Sequence, residues 1–240
     1  MKPCLRINLG RMPYKECLDL QHKVLMARQQ NRIPDCLLVV EHDNVFTIGR
    51  SGKKDNLLVP QQMLDETQIS CISIERGGDI TYHGPGQLVI YPIFALETDE
   101  EKKSFSAVDF INALEDMMIY VLGEYGITGE KNLRNRGVWV KESKVGFVGI
   151  AVKQNVSFHG LALNISPDLK FFKMINPCGM THVKITSMEK EKDRKINFSD
   201  TADIAMTAIE NKFELSLETM PVESFKLLLE AECYEHQLQC

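Results

Sequence analysis

No two of the seven cysteines, at positions 4, 17, 36, 71, 178, 233 and 240, form a CxxC pair. Their odd number and wide spacing exclude a disulfide scaffold and a cysteine-based zinc site, and fit a reducing compartment. No metal and no cofactor are expected. No apolar run approaches the roughly 18–20 residues of a membrane span. Met1-Lys2-Pro3-Cys4 leads at once into strand-like sequence, without a signal h-region or an Arg/Ser-rich presequence. The expectation is a cytoplasmic protein with no membrane partner. An excess of positive charge is lacking too: 28 Lys and Arg against 33 Asp and Glu leave −5, which argues against wholesale nucleic-acid binding. Neither the GxxxxGK[ST] frame nor a GxGxxG opening a helix is present. Internal repeats, low-complexity tracts and Pro/Gly/Ser-rich linkers are also missing. What remains, 240 residues at 44% hydrophobic and 25% charged, is enough to bury a sizeable core.

The first hundred residues alternate strand and helix signals. Leu5–Leu9 reads as a strand and Tyr14–Arg32 as a helix opened by Pro13, where no amide hydrogen is needed. Cys36–Glu41 reads as a buried strand, with Val45–Gly49 as its partner and Arg50–Asn56 as a polar loop. Cys71–Glu75 and Gln87–Phe94 are two further strands around a glycine-dense loop. Ser104–Tyr125 carries Val108, Ile111, Leu114, Met118, Val121 and Tyr125 at three- and four-residue steps, with Ser104 or Ser106 as cap and Gly126 as stop. Strand character returns from Gly137 to Leu163 as GVWV, KVGFVGIAV and VSFHGLAL. The charge run Glu189–Lys195 reads as a solvated loop or helix end, and two helices follow at about Thr201–Leu215 and Val222–His236. Hairpins mixed with crossovers indicate an α+β (mixed α/β) fold. Residues from about 187 to 240 are read as a helical annex rather than a separate domain.

Three segments carry chemistry. Arg76–Tyr91 (RGGDITYHGPGQLVIY) sets four glycines among Arg76, Thr81, Tyr82, His83 and Gln87, which suits a loop whose backbone approaches a ligand. In Lys144–Asn164 (KVGFVGIAVKQNVSFHGLALN), a lysine heads an apolar, glycine-bearing strand. By itself it reads more simply as a strand-end side chain reaching water, and His159 as a structural histidine. In Ile175–Gly179 (INPCG), Cys178 sits on a Pro/Gly-framed turn where a thiol can project; the other cysteines lie in helix- or strand-like runs or at chain ends, where packing explains them.

Together these segments resemble the octanoyltransferase (lipoyl(octanoyl) transferase) family of protein lipoylation, within the lipoate/biotin protein ligase catalytic-domain superfamily. The signature RGGxxTYHGPGQ is matched by Arg76–Gln87, K-[IV]-x-x-x-G by Lys144–Gly149, FHGLALN by Phe158–Asn164 and NPCG by Asn176–Gly179. An HxxxxTxGR-type stretch lies at His42–Arg50, and Met180 stands where many members carry an aromatic. The resemblance implies a single catalytic domain over 1–240 with mixed sheets flanked by helices. It implies Cys178 as acyl-thioester nucleophile and Lys144 as the residue that activates it. An acyl pocket would be lined by Arg76, Gly77, Gly78, Asp79, Ile80, Thr81, Tyr82 and His83, by Phe147, Val148 and Gly149, and by Gly160, Leu161 and Ala162. Asp79 and Ile80 enter only as members of a contiguous loop.

The implied reaction moves octanoyl from octanoyl-acyl carrier protein to a lysine of lipoyl domains: the 2-oxoacid dehydrogenase E2 subunits and the glycine cleavage H protein. Oxyanion donors are expected from the Cys178 and Gly179 amides, with His83 or His159 assisting. Two alternatives stand beside it: an ATP-dependent lipoate or biotin ligase, which does not need the NPCG cysteine, and a non-catalytic acyl-carrier-binding module. Between residues 131 and 195, 13 Lys and Arg face 5 Asp and Glu, a local +8 in an acidic chain. That segment is where an acidic carrier is expected to dock.

Overall fold

The computed structural model describes residues 1–67, 69–96, 106–132, 135–181 and 183–237, with side chains described through residue 231. Its elements in chain order are β1 (Lys2–Met12), α1 (Tyr14–Gln29), β2 (Asp35–His42), β3 (Val45–Ile48), α2 (Gln61–Thr67), β4 (Ser70–Ser73), β5 (Ile80–His83), β6 (Gln87–Ile93) and α3 (Ala107–Glu124). There follow β7 (Glu130–Lys131), β8 (Val138–Val140), β9 (Ser143–Lys153), β10 (Val156–Asn164), β11 (Lys184–Ile185), α4 (Met188–Lys192), α5 (Phe198–Phe213), β12 (Leu215–Thr219) and α6 (Val222–Gln237).

A mixed sheet runs β12-β1-β2-β6-β10-β9-β8-β7, with β11 added beside β9. Its central strands are buried on both faces, so they read as continuous apolar runs rather than alternating ones. In β2, Cys36, Leu38 and Val40 point into one core, and Leu37 and Val39 into the other. The first core is closed by α1 and α6. Cys17, Leu20, Val24 and Leu25 of α1 recur at helical spacing on its buried face. The second is closed by α3 and α5, with Phe110, Leu114, Met117, Met118 and Val121 of α3 fully covered. Ser106 caps α3, its Oγ accepting from the Asp109 amide at 3.1 Å; the expected start at Ser104 lies outside the described residues.

Two expectations are corrected. β3 does not pair with β2: it sits in a second sheet of order β4-β3-β5, parallel to β4 and antiparallel to β5. The two residues between β2 and β3 carry the chain out of one sheet and into the other. The segment after residue 187 is no purely helical annex, because β12 pairs in parallel with β1 and α5 packs in the second core. β12 was hidden because its pattern, LSLET, is short and lies where a helix was expected to end. The run Glu189–Lys195 forms the end of α4 and the loop after it, as expected of a solvated helix end; the Ser187 cap accepts from the Lys190 amide at 3.4 Å.

No helix among the described residues is long and apolar enough to cross a membrane.

Candidate active site

Lys144 and Cys178 meet at the start of β9, inside the main sheet. Two-residue alternation would put Lys144 and Phe147 on opposite faces of β9. A bulge changes this: Val138 pairs with Gly146 and Trp139 with Lys144, leaving Val145 as the extra residue. Val145 drops into the second core, while the Lys144 amine lies 5.0 Å from the centre of the Phe147 ring and 5.6 Å from that of Trp139. The backbone of Lys144 is pinned on both edges, by β8 on one side and on the other by β11, where the Thr186 amide donates to Lys144 O at 2.9 Å.

The lysine is 1% exposed. Its Nζ has three acceptors: Arg136 O at 2.6 Å, Asn135 Oδ1 at 3.0 Å and Cys178 Sγ at 3.4 Å. A neutral amine has two N–H bonds, enough for Asn135 and Arg136, and its lone pair then faces the thiol. An ammonium has a third N–H, for the sulfur. Burial pushes the Lys144 pKa below its ordinary value, opposed by the neighbouring Cys178 sulfur and the Glu115 carboxylate. This is a buried base facing a thiol, not a strand-end lysine reaching water.

Cys178 is held in a left-handed conformation, φ 58° and ψ 25°, at the centre of the turn Pro177–Gly179. A non-glycine residue there costs on the order of 1 kcal/mol, and such strain clusters at functional positions. Pro177 is buried, and the Asn176 amide donates to Asn56 O at 2.8 Å, tying the turn to the loop after β3. The Gly179 amide donates to Asn176 O at 3.0 Å, so the turn itself occupies one of the two amides expected to face an oxyanion. Cys178 is half-exposed, whereas burial raises the pKa of Cys4, Cys17 and Cys36 strongly and that of half-buried Cys71 as well.

A narrow cleft opens beside the pair. It is lined by Arg76, Gly77, Gly78, Asp79, Ile80, Thr81 and His83, by Phe147, Val148 and Gly149, and by His159, Gly160, Leu161 and Ala162, besides Lys144 and Cys178. Residues of all four motifs therefore converge on one space. Arg76 forms its rim: Nη2 donates to Thr47 O at 2.7 Å and Nη1 to Gly77 O at 3.1 Å, which fixes the glycine loop against β3.

Tyr82 stands apart from the other expected lining residues. It neighbours Thr81 and His83 in a strand, so its ring points the other way, against Phe46, Phe171 and Phe172, with its hydroxyl donating to Asn44 Oδ1 at 2.7 Å. His83 donates from Nδ1 to Gln87 Oε1 at 2.7 Å, and burial keeps it neutral. His159 carries φ 57° inside β10, which brings its ring beside Phe158 and Tyr91 on the cleft side, while Gln21 Oε1 takes its amide at 3.0 Å. Burial lowers its pKa to about 4.

Tyr14 and Tyr91 also line the cleft. Sequence reasoning missed both, and Tyr14 lies in a helix far from any motif. It also missed Asn135 and Arg136, which accept from the lysine, and Glu115, which accepts from Arg136 and the Gly137 amide behind them.

The family model described as the lipoyl protein ligase A/B catalytic domain matches residues 13–210. A protein named octanoyltransferase from Syntrophobacter fumaroxidans is 36% identical over 229 residues, 95% of this chain and 99% of that one. The chain belongs to the octanoyltransferase family. It is an acyltransferase of the lipoylation enzymes. An octanoyltransferase from Desulfotalea psychrophila is 42% identical over 188 residues, covering 77% of this chain and 82% of its own. The mitochondrial octanoyltransferase LIP2 of Arabidopsis thaliana is 38% identical over 187 residues, 78% of each chain. Among solved structures, a lipoate-protein ligase A bound with ATP superposes with TM-score 0.74 at 12% identity, over 96% of this chain and 94% of that one. A bipartite lipoate protein ligase from Thermoplasma acidophilum gives 0.72 at 14%, over 96% and 91%. At such identities they establish the fold, the lipoate-ligase type expected from the motifs.

Proposed function

We propose that the enzyme, acting as one catalytic unit over its whole length, moves octanoyl from the thioester of octanoyl-acyl carrier protein to the ε-amine of a lysine on lipoyl domains. Those acceptors are the E2 subunits of 2-oxoacid dehydrogenases and the glycine cleavage H protein. The group passes through a thioester on Cys178. The observation that carries this reading is the buried Lys144 amine at 3.4 Å from the half-exposed Cys178 on its strained turn, both opening on one cleft.

In the first half-reaction Lys144 takes the Sγ proton and the thiolate adds to the donor carbonyl carbon. The carrier's thiol sulfur leaves, takes the proton back from the Lys144 ammonium, and departs as thiol. In the second, the incoming ammonium gives one proton to Lys144 and its amine adds to the acyl carbon. As the C–S bond breaks the amine's second proton passes to the Cys178 sulfur, leaving an amide, a thiol and a Lys144 ammonium that returns its proton to solvent. One base serves both halves. Thioester-to-amide transfer is downhill, so the reaction needs no nucleotide.

Donor docking draws support from a groove beside the Cys178 turn. Phe172, Ile175, Pro177, Met180 and Ile185 form its floor, and Lys170, Lys173, Lys184 and Lys190 stand around it. Charges on such a rim act mainly on association rate and are screened by salt. The test is to combine the enzyme, octanoyl-acyl carrier protein and an apo lipoyl domain without nucleotide and to read amide formation by mass. A parallel mixture replaces the carrier-bound donor by free octanoate and ATP: product from the carrier-bound donor without ATP supports the transferase, product only from free octanoate with ATP the ligase, and no product in either a binding module.

A further inference from the structure

Among the described residues no carboxylate contacts Lys144, yet a buried carboxylate lies one peptide group away. Glu115, on the inward face of α3, is fully buried. Its Oε1 accepts from the Gly137 amide at 2.7 Å. The other side of that same peptide group, Arg136 O, accepts from Lys144 Nζ at 2.6 Å. The arrangement is ammonium, carbonyl, amide, carboxylate: a hydrogen-bonded chain through a single peptide unit, in which each bond polarises the next. Gly137 closes the gap. At φ 119°, a Cβ there would lie 2.3 Å from Gly146 O and 2.6 Å from Lys144 Cε, so the peptide can face both partners only with glycine. The remaining oxygen, Glu115 Oε2, accepts from Arg136 Nη1 at 3.0 Å; that guanidinium is 39% exposed and also donates to Asn112 Oδ1 at 2.6 Å.

We propose that Glu115 is the counter-ion of Lys144, coupled to it through the 136–137 peptide, and that the balance between Glu115 and Arg136 sets how readily Lys144 holds its proton beside Cys178. Glu115 touches neither substrate nor sulfur, so it is a positioning residue. The other charged groups facing the pair are Arg76 and Asp79, from the loop between β4 and β5, and neither contacts Lys144. The proposal rests on the reading of Cys178 and Lys144 as a reactive pair, and it predicts opposite effects of two neighbouring substitutions. Glu115→Gln removes the negative end, weakens the ammonium and lowers the thiolate content of the pair. Arg136→Met removes the charge that offsets Glu115, strengthens the ammonium and raises it. A shift of about one pH unit is about tenfold in thiolate at a fixed pH.

The experiment follows alkylation of Cys178 by iodoacetamide from pH 5 to 9, located by peptide mapping, in wild type, Glu115→Gln, Glu115→Asp and Arg136→Met. The expected result is a rate about tenfold lower near pH 7 in Glu115→Gln, recovered in part by Glu115→Asp and exceeded in Arg136→Met. Profiles that coincide, or that fall alike in Glu115→Gln and Arg136→Met, would overturn the proposal, the latter marking a bracing role alone. Should Glu115→Gln fail to fold, Arg136→Met alone decides: a faster reaction supports the coupling, and an unchanged or slower one refutes it. Failure of the underlying reading is separate, since Cys178 in wild type would then react no faster than Cys71.

Discussion

Replacing Lys144 by methionine tests whether a buried amine does acid–base work or only fills space. Methionine keeps most of the aliphatic length against Phe147 and Trp139 and removes only the polar end. Two stability effects then oppose each other. Because burial lowers the Lys144 pKa, the folded state holds the proton less tightly than the unfolded chain. The charged amine therefore costs stability increasingly as pH falls below its ordinary value near 10.4, and at pH 7 its removal relieves that cost. Against this, Asn135 Oδ1 and Arg136 O lose their donor, at about 1–3 kcal/mol for buried polar groups left unpaired. At roughly 2–4 °C per kcal/mol for a chain of this size, the melting temperature should stay within a few degrees of wild type. Activity should not. Loss of a general base costs about 10²–10⁴-fold, here in both half-reactions. Lys144→Arg should rescue little, since a guanidinium cannot serve as a base and the Gly137 backbone leaves no room for a larger head group. Lys153, at the exposed end of the same strand, is the control: Lys153→Ala should match wild type. Rapid-quench measurement of Cys178 acylation and of transfer to the lipoyl domain separates the steps. Normal rates for both in Lys144→Met would refute the reasoning.

Other consequences are equally direct. Gly137→Ala should lower the melting temperature by several degrees and slow Cys178 alkylation, because the new Cβ meets Gly146 O and the Lys144 side chain; a wild-type melt and alkylation rate would contradict the close packing. Charge reversal at Lys173 in the groove should lower kcat/KM for the carrier-bound donor several-fold at low salt and much less at high salt, with kcat little changed; an equal loss at all ionic strengths would count against electrostatic docking. Burial holds His42 and His159 at pKa values of about 4, and His83 well below its ordinary value. The unfolded chain binds those protons from about pH 6.5 downward and the folded one does not, so stability should fall steeply as pH drops from about 6.5 toward 4. Melting curves read that slope, which should be shallower in His42→Gln; a flat profile in wild type would refute the neutral burial of these rings.

The fold was legible where local pattern and tertiary context agree. The helical spacing of α3, the apolar run of β2 and the hairpin from β9 to β10 all carry their periodicity in the residues themselves. β12 and β11 are too short to show a period, and each is a strand only because a longer strand lies beside it. The partner of β3 was likewise undetermined locally, since a two-residue gap permits either a hairpin or a change of sheet. At the site, the glycine loop and Cys178 are chemically conspicuous in themselves, whereas Lys144 and His159 read blandly alone and were singled out through the motifs that contain them. The orientation of Tyr82 could have been read from strand alternation with Thr81 and His83. Glu115 could not: a carboxylate on a helix reads as a solvated residue, and only the packing of α3 on β8 and β9 reveals it as buried and aimed at the Gly137 amide.

The central claim is that Cys178 carries the acyl group. Incubation with octanoyl-acyl carrier protein alone, followed by acid quench and intact-mass measurement, tests it directly. The account predicts one added octanoyl group, removed by hydroxylamine, mapped to Cys178 and absent from a folded Cys178→Ala variant. An adduct on Cys71 or another cysteine, or amide product formed by Cys178→Ala at the wild-type rate, would contradict it.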